Sequence, residues 1–415
     1  MRKSRTIFLL LLCLIPTLLV GCWGGKGSHK LYNPREVNFA ATYNPNLDGV
    51  VYPSMVLALA NYRGDAPIPL FSVSVTAPTN NTVLRVVVDS SNLNYVSILQ
   101  EVLPKRGETY TFEPPIKWKY EHLYDLRQQG AVDLTFTCYI NDEEVDIKNL
   151  RLNYRTVGEC PLSILDTAGR MVDYRWLFTA YINEDHPYID SILSAVLSQG
   201  IISAFSGYQR GASAVREQVF AVWNYALQRG IAYSSITCTT NPSRKANAQH
   251  IRIFDEVYLT RQANCIDACV FFASILRKIG IQTVILVEPC HAYLGYYTDK
   301  NRRQLSLLET TITGWVNLPR LTASVSKVTG LASDTELERI AKYTSATNIS
   351  AYKSGRLSLE ALERDVSRNL FNKAGAYDSE RYLANRSLFD ADTVNGYTRL
   401  VVDDLRKVVL PIRRY

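Results

Sequence analysis

The fold is decided by the stretch Gln262-Ala263-Asn264-Cys265-Ile266-Asp267-Ala268-Cys269, where apolar residues begin to recur at helical spacing. The pattern continues to Ile279, and Gly280 predicts the end of the helix. Three strand-like runs follow, at residues 283–287, 291–297 and 305–310. A helix followed by consecutive short strands predicts a helix packed on an antiparallel sheet, which is an α+β arrangement.

Three side chains in this region have complementary chemistry. Cys265 begins the helix, His291 begins the second strand, and Glu309 lies on the third. A helix N-terminus and a nearby imidazolium both stabilise a thiolate, which is the nucleophilic form of cysteine. The imidazole can exchange protons with the reactants, and the carboxylate can orient the ring. We therefore predict a Cys265–His291–Glu309 triad that attacks amides through an acyl-enzyme.

Such a site also needs donors for the oxyanion, and it needs no metal. The backbone N–H of Cys265 is one expected donor, and the side chain of Gln262 or Tyr258 is a candidate for the second. Cys269 lies one turn beyond the nucleophile, but one nearby histidine without a paired Cys-x-x-Cys does not predict zinc. We expect no metal and no other cofactor, and we interpret Asp267 as a stabiliser of the first helical turn.

Four motifs of this region resemble those of a known superfamily. They are Asn264-Cys265-Ile266-Asp267-Ala268, Ser274-Ile275-Leu276-Arg277-Lys278-Ile279-Gly280-Ile281, His291-Ala292-Tyr293 and Leu308-Glu309-Thr310-Thr311. They are similar to the Gly-x-Cys-x-Asp, Leu-x-Arg-x-x-Gly-Ile, His-Ala-Trp and Asp-x-Thr motifs of the transglutaminase-like superfamily of papain-like cysteine enzymes. The similarity is strongest over residues 213–311, and residues 182–187 and 230–235 resemble the helical lead-in of lipoprotein members. The resemblance implies a papain-like fold with Cys265 as nucleophile, His291 as base and Glu309 as the third member.

The chain departs from the superfamily pattern at three positions. Glu309 replaces the usual aspartate, so its backbone must lie further from the ring that it orients. Tyr293 replaces the usual tryptophan, and Asn264 precedes the nucleophile at a position that varies among members. All three catalytic groups are nevertheless retained.

The N-terminus resembles that of a bacterial lipoprotein. Residues 1–21 combine a basic start with an apolar run that is short for a membrane span, which predicts a signal peptide. The run ends in Leu19-Val20-Gly21-Cys22, which looks like a lipobox, so Cys22 is the predicted lipidation site. Residues 22–30 then form a predicted lipidated tether. The implied location is the bacterial cell envelope, lipid-anchored and extracytoplasmic.

The pattern of apolar and polar residues divides the rest of the chain into three predicted segments. Residues 31–157 alternate with period two between turn signals, which predicts an all-β sandwich domain. Within them, residues 55–62 are interpreted as a strand. Residues 158–318 form the predicted transglutaminase-like catalytic domain with its helical lead-in, and residues 319–415 form a C-terminal helical or mixed extension.

Composition narrows the possible partners. The chain has 415 residues, 47% apolar and 20% charged, which is typical of a globular protein. Without residues 1–21 it keeps 43 basic against 39 acidic residues, a net charge of +4, and this does not predict nucleic-acid binding. The expected partners are a protein or peptide substrate and, through the lipid, a membrane, while the oligomeric state is left open.

Peptide or amide hydrolysis is the first prediction for the reaction. Transglutaminase-type crosslinking and a non-catalytic binding module that retains the triad are the alternatives.

Overall fold

The computed structural model describes residues 31–60, 70–235, 239–240, 245–391 and 396–413. The predicted signal peptide (1–21) and lipidated tether (22–30, with Cys22) lie outside the described residues. Over the described ranges, no helix combines the length and the apolar character needed to cross a membrane. The structure is a mixed α+β fold whose sheets are mostly antiparallel, which confirms the sequence prediction at that level.

Twelve α-helices lie within the described ranges. They are α1 (Pro34–Val37), α2 (Pro53–Ala58), α3 (Tyr120–Asp125), α4 (Tyr188–Ser198), α5 (Gly211–Arg229), α6 (Phe254–Thr260), α7 (Cys265–Lys278), α8 (Leu318–Ala323), α9 (Asp334–Ile340), α10 (Ala346–Lys353), α11 (Leu359–Phe389) and α12 (Val402–Leu405). Short 3₁₀ helices span Arg175–Tyr181, Thr310–Trp315 and Ala341–Tyr343.

Eighteen strands are described over the same ranges. They are β1 (Ala40–Tyr43), β2 (Val50–Val51), β3 (Phe71–Thr76), β4 (Thr82–Val88), β5 (Ser97–Leu103), β6 (Thr109–Phe112), β7 (Gly130–Ile140), β8 (Glu143–Tyr154), β9 (Glu159–Leu165), β10 (Met171–Asp173), β11 (Ala232–Tyr233), β12 (Thr239–Thr240), β13 (Ala246–His250), β14 (Gln262–Ala263), β15 (Thr283–Glu288), β16 (His291–Tyr297), β17 (Leu305–Leu308) and β18 (Thr398–Val401).

The N-terminal strands form two sheets that share one apolar core. Their strand orders are β1-β3-β6 and β2-β8-β7-β4-β5, with β2 and β8 parallel and the other pairs antiparallel. Every second residue of β3 and β4 is buried, as period-two patterning requires. These residues join Leu134, Phe136 and Cys138 of β7 in a single cluster.

The strand interpretation of residues 55–62 is wrong over residues 55–60, and residues 61–62 lie outside the described residues. Residues 53–58 form helix α2, with Pro53 in its first turn and nearly every side chain buried. Proline is well suited to the first turn of a helix, because its fixed backbone angle matches the helix and its missing N–H is not needed there. A short apolar run without clear periodicity fits a buried helix as well as a strand, so the surrounding structure decides.

Helix α7, which begins at Cys265, packs on an antiparallel sheet, as the sequence predicted. The strand order is β17-β16-β15-β18, and Glu288 at the end of β15 pairs with His291 at the start of β16. Eleven of the fourteen residues of α7 are buried, which anchors the helix in the main core. Cys265 and His291 therefore lie on elements that are fixed by packing.

The segment after residue 318, predicted as an extension, contributes to the same structure. Strand β18 pairs with β15, and helix α11 packs on both β17 and α5. At Gly375 of α11 an added Cβ would lie 3.3 Å from the carbonyl oxygen of Leu307 in β17, so glycine permits a close approach of helix and strand. This contact places the middle of α11 beside the end of β17.

Candidate active site

The start of helix α7 is held by a buried polar network. The Asn264 side chain accepts from the N–H of Asp267 at 2.8 Å, and the Asp267 carboxylate accepts from the N–H of Asn264 at 2.9 Å, which forms a capping box. Asp267 is fully buried and also accepts from the Arg252 guanidinium at 2.6 Å. Burial raises the pKa of Asp267 against the opposing effect of these hydrogen bonds. Asp267 therefore caps the first turn of α7, as a first-turn stabiliser is expected to do.

Cys265 occupies the first position of this capped helix. It is a free cysteine of intermediate exposure, whereas Cys269, one turn further along the helix, is buried. Interaction with its side chain is one of the causes that raise the pKa of His291, which is the first residue of β16. The structure therefore brings together the first two residues of the predicted triad.

His291 lies between the thiol and a carboxylate. Its Nε2 is 2.7 Å from Oε2 of Glu309, which leaves Nδ1 for the Cys265 side. Burial by itself would lower the pKa of His291, but the hydrogen bonds to Cys265 and Glu309, together with their charges, raise it to about 10. A pKa of about 10 keeps the imidazole protonated at neutral pH, and both Cys265 and Glu309 contribute to it.

Glu309 is fixed by its own neighbours in sequence. Its Oε1 accepts from the N–H of Thr311 at 3.0 Å and from the Thr311 hydroxyl at 2.7 Å, while Oε2 is left for His291. Burial would raise the pKa of Glu309, but these hydrogen bonds and the imidazolium charge lower it. The Thr310 hydroxyl donates to the carbonyl oxygen of Cys265 at 3.5 Å, so the Glu-Thr-Thr motif joins the carboxylate to the nucleophile helix.

The two oxyanion candidates have different surroundings. Gln262 is exposed on β14, three residues before Cys265. Tyr258 lies on α6, where its ring contacts Tyr188 at a centroid distance of 4.8 Å and the Arg229 guanidinium at 4.7 Å. Cys265 is not among the contacts described for Tyr258, so this candidate is not brought to the triad by any described contact.

The other described cysteines differ from Cys265 in their environment. Cys138, Cys160 and Cys269 are buried free thiols, and burial raises the pKa of each. Cys290, the residue before His291, is an exposed free thiol in the turn before β16. It therefore provides an exposed reference thiol in the same protein.

Asp378 of α11 is a fourth residue of the site that sequence analysis did not identify. It is fully buried, and neither carboxylate oxygen accepts a hydrogen bond from any described donor. Polar atoms of His291, Glu309 and Asp378 lie within 4.8 Å of one another. Burial and the neighbouring Glu309 raise the pKa of Asp378 to about 9. A buried stripe at four-residue spacing points to Asp378 in the sequence: Leu362, Val366, Leu370, Ala374 and Asp378.

Helix α11 also supports the ring of Tyr293, which lies two residues after His291 on β16. This ring is buried and lies 6.0 Å from the His291 ring, with an interplanar angle of 26°. The Tyr293 hydroxyl donates to Glu288 at 3.3 Å, and Arg381 of α11 donates to the same carboxylate at 2.7 Å. Tyr293 therefore forms an aromatic support for the imidazole that is fixed from two sides.

Within the part of the chain that the structure describes, His291, Glu309 and Asp378 form a group with the atoms to hold a cation. The Nε2 to Oε2 distance of 2.7 Å is a hydrogen-bond distance, so a metal ion between these two atoms would have to replace their proton. The arrangement therefore fits proton transfer better than metal binding.

Comparison with known proteins adds no relative. No protein-family model matches the chain, and no curated protein matches it. Any function proposed for the chain therefore depends on the geometry of its side chains.

Proposed function

We propose that this protein is a thiol-dependent amide hydrolase that acts on a protein or peptide through an acyl-enzyme on Cys265. One observation carries the proposal: a half-buried cysteine at a helix N-terminus interacts with an imidazole whose Nε2 is 2.7 Å from a buried carboxylate. Nucleophile, base and orienting group are the three parts that thiol acyl transfer requires. The elevated pKa of His291, about 10, favours the imidazolium form of the ring.

In the first step the Cys265 sulfur attacks the amide carbonyl carbon. A carbon–sulfur bond forms, and the carbonyl π electrons move to oxygen, which faces the first N–H groups of α7. The oxyanion then collapses and the carbon–nitrogen bond breaks. The leaving amine takes the proton of the His291 imidazolium, which leaves a thioester and a neutral imidazole.

In the second step the neutral imidazole accepts a proton from water as the water oxygen attacks the thioester. Collapse of the second oxyanion breaks the carbon–sulfur bond and releases a carboxylic acid and the thiolate, beside a His291 that is again protonated. Glu309 remains ionised throughout and stabilises the imidazolium, because its own pKa is lowered. An amine in place of water would give crosslinking with the same residues.

The proposal also covers the fold of the protein and its location in the cell. The helix α7 and the sheet β15–β17 represent a papain- or transglutaminase-like core, and the two N-terminal sheets represent a β-sandwich. The shared apolar cluster of these two sheets supports the second assignment. The protein is anchored in the bacterial cell envelope by a lipid on Cys22, which lies outside the described residues.

The reactivity of Cys265 tests the catalytic proposal without knowledge of the substrate. At pH 6 less than about 1% of an ordinary thiol is ionised. A thiolate held by an imidazolium should react with iodoacetamide roughly 10-fold faster than the exposed Cys290. His291→Ala should reduce Cys265 to the rate of Cys290. Mass-spectrometric mapping of the labelled peptides measures both rates in one sample.

The outcomes separate the alternative functions. Equal, slow labelling of Cys265 and Cys290 would overturn the hydrolase proposal and favour a binding module that retains the triad. Incorporation of a labelled primary amine into protein glutamine would favour crosslinking over hydrolysis. Cys269→Ser is a matched control, since this thiol is buried and its removal should leave the labelling of Cys265 unchanged.

The anchor has its own test. Cys22→Ala should move the protein from the membrane fraction to the soluble fraction after cell lysis, because acyl chains contribute roughly 0.8 kcal/mol per buried methylene. Quantitative immunoblotting of the two fractions measures the change. Cys290→Ser should remain with the membrane, and retention of Cys22→Ala on the membrane would refute lipid anchoring.

A further inference from the structure

We propose that Asp378 is a positioning residue of the site, a neutral carboxylic acid that donates a hydrogen bond to Glu309 and so holds Glu309 ionised against His291. The inference deepens the proposed function and rests on it, because it assigns a role to a residue that acts through the triad. It adds Asp378 as a fourth side chain to the group of Cys265, His291 and Glu309.

The described residues supply no hydrogen-bond donor to the carboxylate oxygens of Asp378. The residue lies in the middle of α11, fully buried, where the close contact of Gly375 with Leu307 brings the helix to the end of β17. The N–H of Glu309 donates to the carbonyl oxygen of Ala374, one turn before Asp378, which fixes the two backbones together. Both oxygens of Asp378 lack a described donor, while its neighbour Glu309 is itself an acceptor.

Two buried carboxyl groups in contact can be joined only through a proton. If both were ionised, they would repel each other in a medium of low polarity. One group therefore keeps its proton and donates it to the other. Glu309 accepts from Thr311 and borders the imidazolium, so it is the group that ionises, and Asp378 keeps the proton. The raised pKa of Asp378, about 9, and the lowered pKa of Glu309 agree with this assignment.

The charged and titratable groups around Asp378 come from four elements. They are Glu309 at the end of β17, His291 and Tyr293 of β16, Cys269 of α7, and Arg381 of α11 itself. Tyr293 and Cys269 are neutral at ordinary pH, because burial raises the pKa of both. The imidazolium and Arg381 lower the pKa of Asp378, and burial and Glu309 outweigh them. The proton on Asp378 therefore responds mainly to the charge of Glu309.

The role predicts how the site responds to acid. Glu309 supports the imidazolium only while it is ionised, and a donor from Asp378 delays its protonation to lower pH. Loss of that donor should make the thiolate–imidazolium pair collapse at a higher pH. The pH dependence of Cys265 alkylation reports this directly.

The test uses the full chain with Cys290→Ser, so that the exposed reference thiol does not consume the reagent. The rate of Cys265 alkylation by iodoacetamide is measured from pH 3 to 9. Asp378→Ala should move the acid-side midpoint upward by roughly one pH unit. Asp378→Asn, whose amide can still donate, should stay within about half a unit of the parent. Glu363→Gln removes another buried acid of α11 that accepts from Thr322, and it should leave the profile unchanged.

Thermal unfolding tests whether Asp378 keeps its proton in the folded protein. The folded protein holds the Asp378 proton to about pH 9, while the unfolded chain releases it near pH 4. The stabilising contribution of this proton is therefore complete below pH 4 and is lost as the pH rises towards 9. The Tm of the parent should fall more steeply between pH 5 and 9 than the Tm of Asp378→Asn. This comparison does not need a soluble alanine variant.

The outcomes distinguish the inference from the proposed function. A parent whose Cys265 does not react at pH 6 would refute the proposed function, and the Tm comparison would still decide whether the two carboxyl groups share a proton. An unshifted Asp378→Ala profile, or parallel Tm curves for the parent and Asp378→Asn, would overturn the inference. Dialysis against EDTA should change neither measurement. If EDTA moves the acid-side midpoint of Cys265 alkylation, a bound cation lies where the proton was proposed. That result would also overturn the inference.

Discussion

Replacing Asp267 with alanine is expected to lower the free energy of unfolding by about 3–5 kcal/mol. The fully buried carboxylate balances the charge of Arg252, and its removal would leave that charge in the core without the carboxylate that now neutralises it. The substitution also removes the capping box with Asn264, which contributes about 1 kcal/mol in typical helices. Urea unfolding followed by circular dichroism measures the loss.

A surface ion pair provides the matched control. Asp133 pairs with Arg151 at 3.1 Å, but both side chains are more than half exposed, so Asp133→Ala should cost less than about 1 kcal/mol. Asp267→Asn keeps the shape of the side chain and removes its charge, so its cost should lie between the two. A cost below 1 kcal/mol for Asp267→Ala would show that the capped helix start does not depend on this carboxylate. The anchoring proposed for Cys265 would then need another source.

The parts of the fold that the sequence predicted are those with strong local signals. Helix α7 has a polar cap, an apolar face at helical spacing and a terminal glycine, and β15 to β17 are short apolar runs separated by turns. Cys265, His291 and Glu309 lie at the ends of these elements, so their meeting could be predicted from the order of the elements. Residues 53–58 have no comparable periodicity, and the interpretation there was wrong.

The parts that the sequence did not predict depend on contacts between distant segments. Strand β18 pairs with β15 more than a hundred residues earlier, and α11 reaches β17 through the close approach at Gly375. Asp378 lies on the buried stripe of α11, which showed that the residue faces a core. The pattern of one helix does not show which strand that core contains, so the contact with Glu309 needed the tertiary structure. The same holds for Arg381 and its link to Tyr293 through Glu288.

Glu309→Gln is expected to slow the turnover of an activated ester such as p-nitrophenyl acetate by about 10- to 100-fold. Glutamine keeps the length of the side chain but loses the charge that stabilises the imidazolium, and a hydrogen bond to a charged group is worth about 1.5–3 kcal/mol. The same loss should lower the pKa of His291, now raised to about 10, by roughly one to two units. Steady-state absorbance measures the turnover, and NMR titration of the imidazole measures the pKa.

The contact between Glu309 and His291 also determines how the stability of the folded state changes with pH. The folded pKa of His291 lies above the usual value, so the imidazolium stabilises the folded state fully below about pH 6.5, and this stabilisation is lost as the pH rises towards 10. Glu309→Gln should flatten this part of the stability profile. Glu309→Asp restores the charge on a shorter side chain. The N–H of Glu309 donates to the carbonyl oxygen of Ala374, and this hydrogen bond keeps the backbone from moving towards His291. Aspartate should therefore recover only part of the turnover, whereas full recovery would show that the distance between Glu309 and His291 is not set by α11.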